Sequence, residues 1–179
     1  MSFVYLTGGI HNRRKLISSS KKTRPTSQIV REAVFNMIKV DGVVLDLFSG
    51  SGLYGFESLS RGANFVYFND VDRDAYNSIL KNAKTLKETD KCLVSKLDYQ
   101  VFLKKHEQTH FDYIFIDPPY DFDDATIARL LKTLKHYKAT LILERSKQSI
   151  SPEIEGLIRY KEKVYGIKKI TLYKPNNKA

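Results

Sequence analysis

Five short apolar runs recur along this chain, and each ends at an acid or just before one: 43–45 before Asp46, 65–68 before Asn69-Asp70, 92–97 before Asp98, Tyr113–Ile116 before Asp117 and 140–143 before Glu144. The acids lie 24, 28, 19 and 27 residues apart. The stretches between them, 56–61, Arg73–Leu86, 99–106 and 124–137, read as helices. Strand–helix repeats with short connections make a mostly parallel, doubly wound α/β sheet. In such a sheet, ligands bind outside the carboxyl ends of the strands, near the point where strand order reverses. All five acids fall on that edge. One Asp after a strand is ordinary turn chemistry; five in series point to a ligand that is cationic, rich in hydroxyls, or both. The tail, 161–165 and 169–173 around Gly166, reads as a closing antiparallel strand pair.

The 179 residues carry a net charge of +10, unevenly placed. Residues 1–39 contribute +7 and residues 156–179 contribute +6, which leaves the middle at −3. A mildly acidic body with basic ends suits a catalytic domain with phosphate-binding flanks; the plain alternative is a lysine-rich soluble surface. The length suits one domain with a short appendage. We expect a basic segment with its helix over 1–39 and a catalytic domain over 40–179. Within 1–25, residues 3–6 read as a short strand and the remainder as loop. Thr26 or Ser27 can N-cap a helix in which Ile29, Val30, Ala33, Val34, Met37 and Ile38 recur at helical spacing, with Arg31 and Asn36 off that stripe. No run reaches the length of a membrane span, and the N-terminus lacks a secretory pattern. The single Cys92 has no partner for a disulfide within the chain, and the four histidines show no metal-ligand spacing. We expect a cytoplasmic protein without metal, acting as a monomer.

Two motifs carry chemistry. Residues 114–120 read Ile-Phe-Ile-Asp-Pro-Pro-Tyr. Two prolines have no N–H for a sheet ladder, so the chain must turn stiffly after the strand. Asp117 and the Pro118 carbonyl form an acceptor pair for a planar amino group, and Tyr120 after Pro119 offers a face to a flat heterocycle. That corner suits chemistry on the exocyclic amine of a nucleobase taken out of its stack. Taken alone, such a corner is more simply a turn that ends a strand. The second motif, Asp46-Leu-Phe-Ser-Gly50-Ser-Gly52-Leu-Tyr-Gly55, contains G-x-G-x-x-G between a strand and a helix, with Asp70 ending the next strand. It meets the dinucleotide fingerprint. Asp46 argues otherwise, because a carboxylate beside this helix N-terminus would repel a pyrophosphate but attract a cationic amino acid. S-adenosylmethionine has an ammonium and a sulfonium and no phosphate. Asp46, Asp70 and Asp98 match its amino-acid, ribose and adenine parts in chain order, although Asp98 also reads as a helix N-cap.

Together these residues resemble the class I S-adenosylmethionine-dependent methyltransferases, which have a Rossmann-like fold. Within them the chain is similar to the bacterial small-subunit rRNA (guanine-N2)-methyltransferases of the RsmD type. The resemblance runs from about Gly9 to Tyr173. It rests on Arg24-Pro-Thr26, Val30-Arg-Glu-Ala-Val-Phe-Asn36, Asp46-Leu-Phe-Ser-Gly-Ser-Gly52, Glu57-Ser-Leu-Ser-Arg-Gly-Ala63 and Asp117-Pro-Pro-Tyr120. It implies Asp46, Gly50 and Gly52 around the methionine part, Asp70 at the ribose and Asp98 near the adenine, with Phe48 and Val71 also among the cofactor contacts. It implies Asp117, Pro118, Pro119 and Tyr120 around the target base, and Arg13, Arg14, Lys15, Arg24 and Arg31 as RNA contacts. The implied partner is ribosomal RNA or a small-subunit particle. This chain departs from the family in Leu53-Tyr54, in Asp70 for a longer Glu and in Arg13 for a glycine. An amino-methyltransferase acting on adenine N6 or protein glutamine shares the Pro-Pro-Tyr corner; Asp at 117 and the Arg-Pro-Thr element weigh against it. A nicotinamide enzyme lacks an evident acid/base pair here, and a non-catalytic RNA-binding protein would not need the acid series.

Overall fold

The computed structural model describes residues 2–18 and 28–178. An N-terminal hairpin, β1 (Ser2–Tyr5) and β2 (Lys15–Ser18), precedes helix α1 (Gln28–Met37). Strand and helix then alternate: β3 (Val43–Asp46), α2 (Leu53–Ser60), β4 (Phe65–Asn69), α3 (Arg73–Leu86), β5 (Cys92–Ser95), α4 (Tyr99–Lys105), β6 (Tyr113–Ile116), α5 (Asp124–Leu134) and β7 (Thr140–Ser146). A final hairpin, β8 (Leu157–Tyr165) and β9 (Lys168–Pro175), closes the fold. The seven-stranded sheet has the order β5-β4-β3-β6-β7-β9-β8. Its first five strands are parallel, and β9 joins β7 antiparallel.

The alternation of side chains along each strand assigns the two faces. Val44, Val66, Phe68, Phe115, Ile142 and Leu172 pack in one cluster with α1, α2 and α3. Their neighbours Leu45, Ile114, Ile116, Leu141 and Leu143 pack in the other with α4 and α5. Both faces are therefore covered, which is why these strands read as unbroken apolar runs rather than as alternation. Among the described residues no helix is long and apolar enough to cross a membrane.

Three expectations need correction. The stretch after residue 6 is not all loop: β2 pairs with β1, Phe3 opposite Ile17, and Leu16 is fully buried. Four residues flanked by basic side chains give too short a pattern to stand out in sequence. In α1 the apolar stripe is displaced, so that Ile29 is exposed while Arg31 is only 3% exposed. Finally, β7 runs on past Glu144 to Ser146, so Glu144 lies within a strand and not at its end. The capping residues Thr26 and Ser27 and the Arg24-Pro-Thr26 element lie outside the described residues. The hairpin's Val4, Leu6 and Leu16 share a core with Val44, Phe56 and Phe68. Removing the hairpin would therefore expose apolar surface from the main sheet's core.

Candidate active site

Strand order reverses between β3 and β6, whose crossovers leave toward opposite faces. Asp46 pairs with Phe115 across this gap, and the Leu47 N–H donates to the Phe115 carbonyl at 3.2 Å. The glycine loop and the Asp-Pro-Pro-Tyr corner thus leave the sheet side by side, where an open α/β sheet forms its ligand crevice.

The glycines serve close packing as well as a turn. Gly52 caps α2 at φ 86°, in the left-handed region that favours glycine. A Cβ on Gly55 would lie 2.1 Å from the Phe68 ring, so only glycine lets α2 settle onto β4. Asp46 is 2% exposed, and its carboxylate accepts the Gly55 N–H at 3.0 Å. Burial pushes its pKa up to about 8, and the charges of Asp117 and Asp70 push the same way against that hydrogen bond. If the ionised form receives the cofactor's ammonium, cofactor affinity should fall as pH drops below about 8, with proton uptake by Asp46 competing. Calorimetry in two buffers at pH 7 should show proton release on binding; none would remove Asp46 from that role.

Asp70 accepts from the Gly50 N–H at 2.8 Å and from the Asp72 N–H at 2.9 Å. A carboxylate has about four acceptor sites, so both oxygens retain capacity for hydroxyls. Beside it Asn69, 1% exposed, joins three loops. Its N–H donates to Ser49 Oγ, its amide to the Leu97 carbonyl, and its Oδ1 accepts from the Leu97 N–H. Sequence reading passed over Asn69, although a lone amide at the end of an apolar strand is a usable signal. Asp98 N-caps α4 through the Gln100 N–H, as its plainer reading expects. Nearby, Phe48, Tyr99 and Phe122 form an aromatic trio with centroids 5.4–5.5 Å apart. Val71 is 70% exposed at the same edge. Asp70→Ala should weaken S-adenosylmethionine at least about tenfold, since each charge-assisted bond contributes roughly 1.5–3 kcal/mol; unchanged affinity by calorimetry would remove the ribose assignment.

At the other corner the Pro119 carbonyl accepts the Phe122 N–H at 3.1 Å, closing a tight turn. Tyr120 stands 89% exposed, with Lys168 Nζ 5.1 Å from its ring centre. Behind it the Asp117 carboxyl meets Glu144, whose Oε2 accepts the Tyr54 hydroxyl at 3.1 Å. Burial raises the pKa of Asp117, while Lys168 and the Glu144 hydrogen bond draw it back. Sequence reading assigned no role to Lys168 or Tyr54. Lys168 arrives only because β9 returns antiparallel beside β7, opposite Ser146.

The basic residues distribute differently from expectation. Arg14 donates to the Thr85 carbonyl near the C-terminus of α3, and the adjoining turn rests on Ser60 at the C-terminus of α2. Those helix ends face the sheet edge opposite Asp117, and Arg13 sits in the same turn at φ 64°. A positive φ is a conformation that favours glycine, so Arg13 holds its place there at some cost. Lys15 lies over the Phe3 ring. Arg31 is not a surface contact at all: it donates to the Tyr5 carbonyl and pairs with Glu57 at 3.1 Å in the core. Arg24 lies outside the described residues.

The chain matches the family described as "Conserved hypothetical protein 95" over residues 4–174. It is 36% identical to the Ribosomal RNA small subunit methyltransferase D of Haemophilus influenzae, over 95% of this chain and 93% of that one. A solved Haemophilus influenzae structure, provisionally named a methylase, superposes with a TM-score of 0.80 at 30% identity, covering 97% of this chain and 99% of that one. A more distant methyltransferase, solved in complex with S-adenosylhomocysteine, shares the fold at a TM-score of 0.67 and 12% identity, over 82% of this chain and 48% of that one.

Proposed function

We infer, because this chain belongs to the conserved hypothetical protein 95 family together with the small-subunit ribosomal RNA methyltransferases D, that it methylates the exocyclic N2 amine of a guanine in small-subunit ribosomal RNA. It is a methyltransferase, and its methyl donor is S-adenosylmethionine. The single observation that carries the choice of an amine is the Asp117-Pro-Pro-Tyr120 corner standing beside Asp46 at the sheet's reversal point. Ribosomal RNA as substrate agrees with the net charge of +10 and with a cytoplasmic site of action.

The residues present suit the donor by their chemistry: buried Asp46 for an ammonium, Asp70 for ribose hydroxyls, and the Phe48–Tyr99–Phe122 trio beside Asp98 for a flat adenine. When bound, the donor supplies an electrophilic methyl on a sulfonium. The chain supplies the rest. The guanine amine is a poor nucleophile because its lone pair is delocalised into the ring. Asp117 and the Pro118 carbonyl accept its two hydrogens and favour a pyramidal nitrogen, whose lone pair then points away from the corner. The exposed Tyr120 ring stacks on the base. Rate then comes from positioning and from a carboxylate set where positive charge develops.

The deciding experiment is mass spectrometry of small-subunit rRNA nucleosides from cells with and without this protein. Loss of N2-methylguanosine alone is expected. Loss of N6-methyladenosine instead, or no change in any rRNA nucleoside, would overturn the assignment.

A further inference from the structure

Behind Asp117 lies a second carboxyl group that contact with cofactor or base does not explain. Glu144 is 2% exposed within β7, in a stretch otherwise apolar from Leu141 to Leu143. Three groups from three other elements face this Glu144–Asp117 pair. Tyr54 from α2 donates to Glu144 Oε2, and its ring is held by stacking on Phe115 at 4.8 Å and 15°. Asp117 follows β6 and hydrogen-bonds to Glu144. Lys168 from β9 faces both carboxyls, and the Asp46 carboxyl from β3 lies close enough to feel the charge of Asp117. Glu144 Oε1 is buried and receives no N–H or O–H from any described residue.

Two carboxylates cannot hydrogen-bond to each other; one of them must carry a proton. The unpartnered Oε1 is the atom that needs it. We propose that Glu144 is a positioning residue of the methyl transfer: it stays protonated, donates from Oε1 to the Asp117 carboxylate, and so holds that carboxylate in place as the acceptor of the amine and of the proton the amine sheds. Burial, with the Asp117 charge next, raises Glu144 well above the usual carboxylate range; burial raises Asp117 as well, and Lys168 draws both down. The buried, unpartnered Oε1 puts the shared proton on Glu144, since no Asp117 oxygen is left in that state. The nitrogen lone pair forms the N–C bond, and the C–S electron pair leaves with sulfur. The cationic nitrogen then passes one proton to Asp117, a half-buried residue from which water takes it before the next turnover. Tyr54 belongs to this device, since an apolar residue there would leave Oε2 without its donor.

The inference rests on Asp117 as the amine's acceptor, so its test includes a reading that needs no substrate. Infrared spectra of the full-length protein with carbon-13-labelled glutamate carboxyls should show one protonated glutamate at pH 7, lost in Glu144→Gln. The label excludes Asp46. In turnover, Glu144→Ala should lower kcat at least about tenfold while leaving the cofactor dissociation constant unchanged. Glu144→Gln, whose amide still donates to Asp117, should recover most of that loss. Wild type should lose kcat at alkaline pH as Glu144 gives up its proton, and Glu144→Gln should show no such fall. If Glu144→Ala does not fold, the infrared band and the Gln pH profile still decide. No protonated glutamate at pH 7, a band that survives in Glu144→Gln, or equal kcat in the Gln and Ala variants would overturn the proposal. A fully active Asp117→Ala enzyme would instead sink the amine reading, whatever the infrared band shows.

Discussion

Asp117→Ala is expected to lower kcat at least about a hundredfold while changing cofactor affinity much less. The carboxylate interacts most strongly once the amine nitrogen is pyramidal and cationic, so the loss falls on the transition state rather than on binding. The proposed cofactor contacts come from the loops after β3, β4 and β5, with Phe122 as the one member beyond β6, whereas Asp117 stands at the β6 end itself. Single-turnover assays with saturating cofactor separate the two quantities. Tyr120→Ala in the same assay should cost on the order of 1–3 kcal/mol through lost stacking, and Tyr120→Phe should be mild because the ring face is what is used. A fully active Asp117→Ala enzyme would reduce the corner to a turn.

Glu57→Ala should have the largest effect on stability. Glu57 is fully buried, and its carboxylate accepts from the Thr7 N–H at 2.9 Å, the Thr7 hydroxyl at 2.6 Å, Arg31 at 3.1 Å and Arg61 at 3.1 Å. These bonds tie the N-terminal hairpin and α1 to α2. Alanine would leave the Arg31 guanidinium buried without its anion, and burial already lowers the Arg31 pKa against the opposing pull of Glu57. Breaking a buried pair from one side costs about 3–5 kcal/mol. For a chain of this size that corresponds to a fall in Tm of roughly 6–20 °C. A Tm within about 2 °C of wild type would mean that the pair adds little and that packing alone holds the hairpin. The same substitution separates stability from chemistry, since Glu57 lies away from the Asp117 corner.

The opposite fates of Arg31 and Lys168 show where reading a sequence reaches its limit. Arg31 falls off the apolar stripe of α1 and carries a charge, so local pattern sends it outward. Its burial depends on Glu57, 26 residues away on another helix, and only packing brings the two together. Lys168 lies in a basic tail with no motif around it. It reaches Tyr120 because β9 runs antiparallel to β7, and that register is a property of the assembled sheet. Glu144 shows a third form of the same limit. The acid is visible after an apolar run, but whether it ends the strand or lies within it depends on how far β9 extends the ladder.

By itself the sequence determined what short-range physics controls. The apolar runs, the intervening helical stretches and the sites of chain reversal follow from strand length, helical period and the missing N–H groups of proline. From these came the parallel sheet, the acid-lined edge and the Asp117-Pro-Pro-Tyr120 corner. Tertiary structure alone decided which charges are buried, which edge of the sheet each basic residue faces, and that Tyr54, Asp117, Glu144 and Lys168 meet. Those outcomes turn on contacts between residues from 24 to 90 positions apart in the chain. At such separations desolvation and pairing are set by the packed neighbourhood of a side chain and not by its neighbours in sequence.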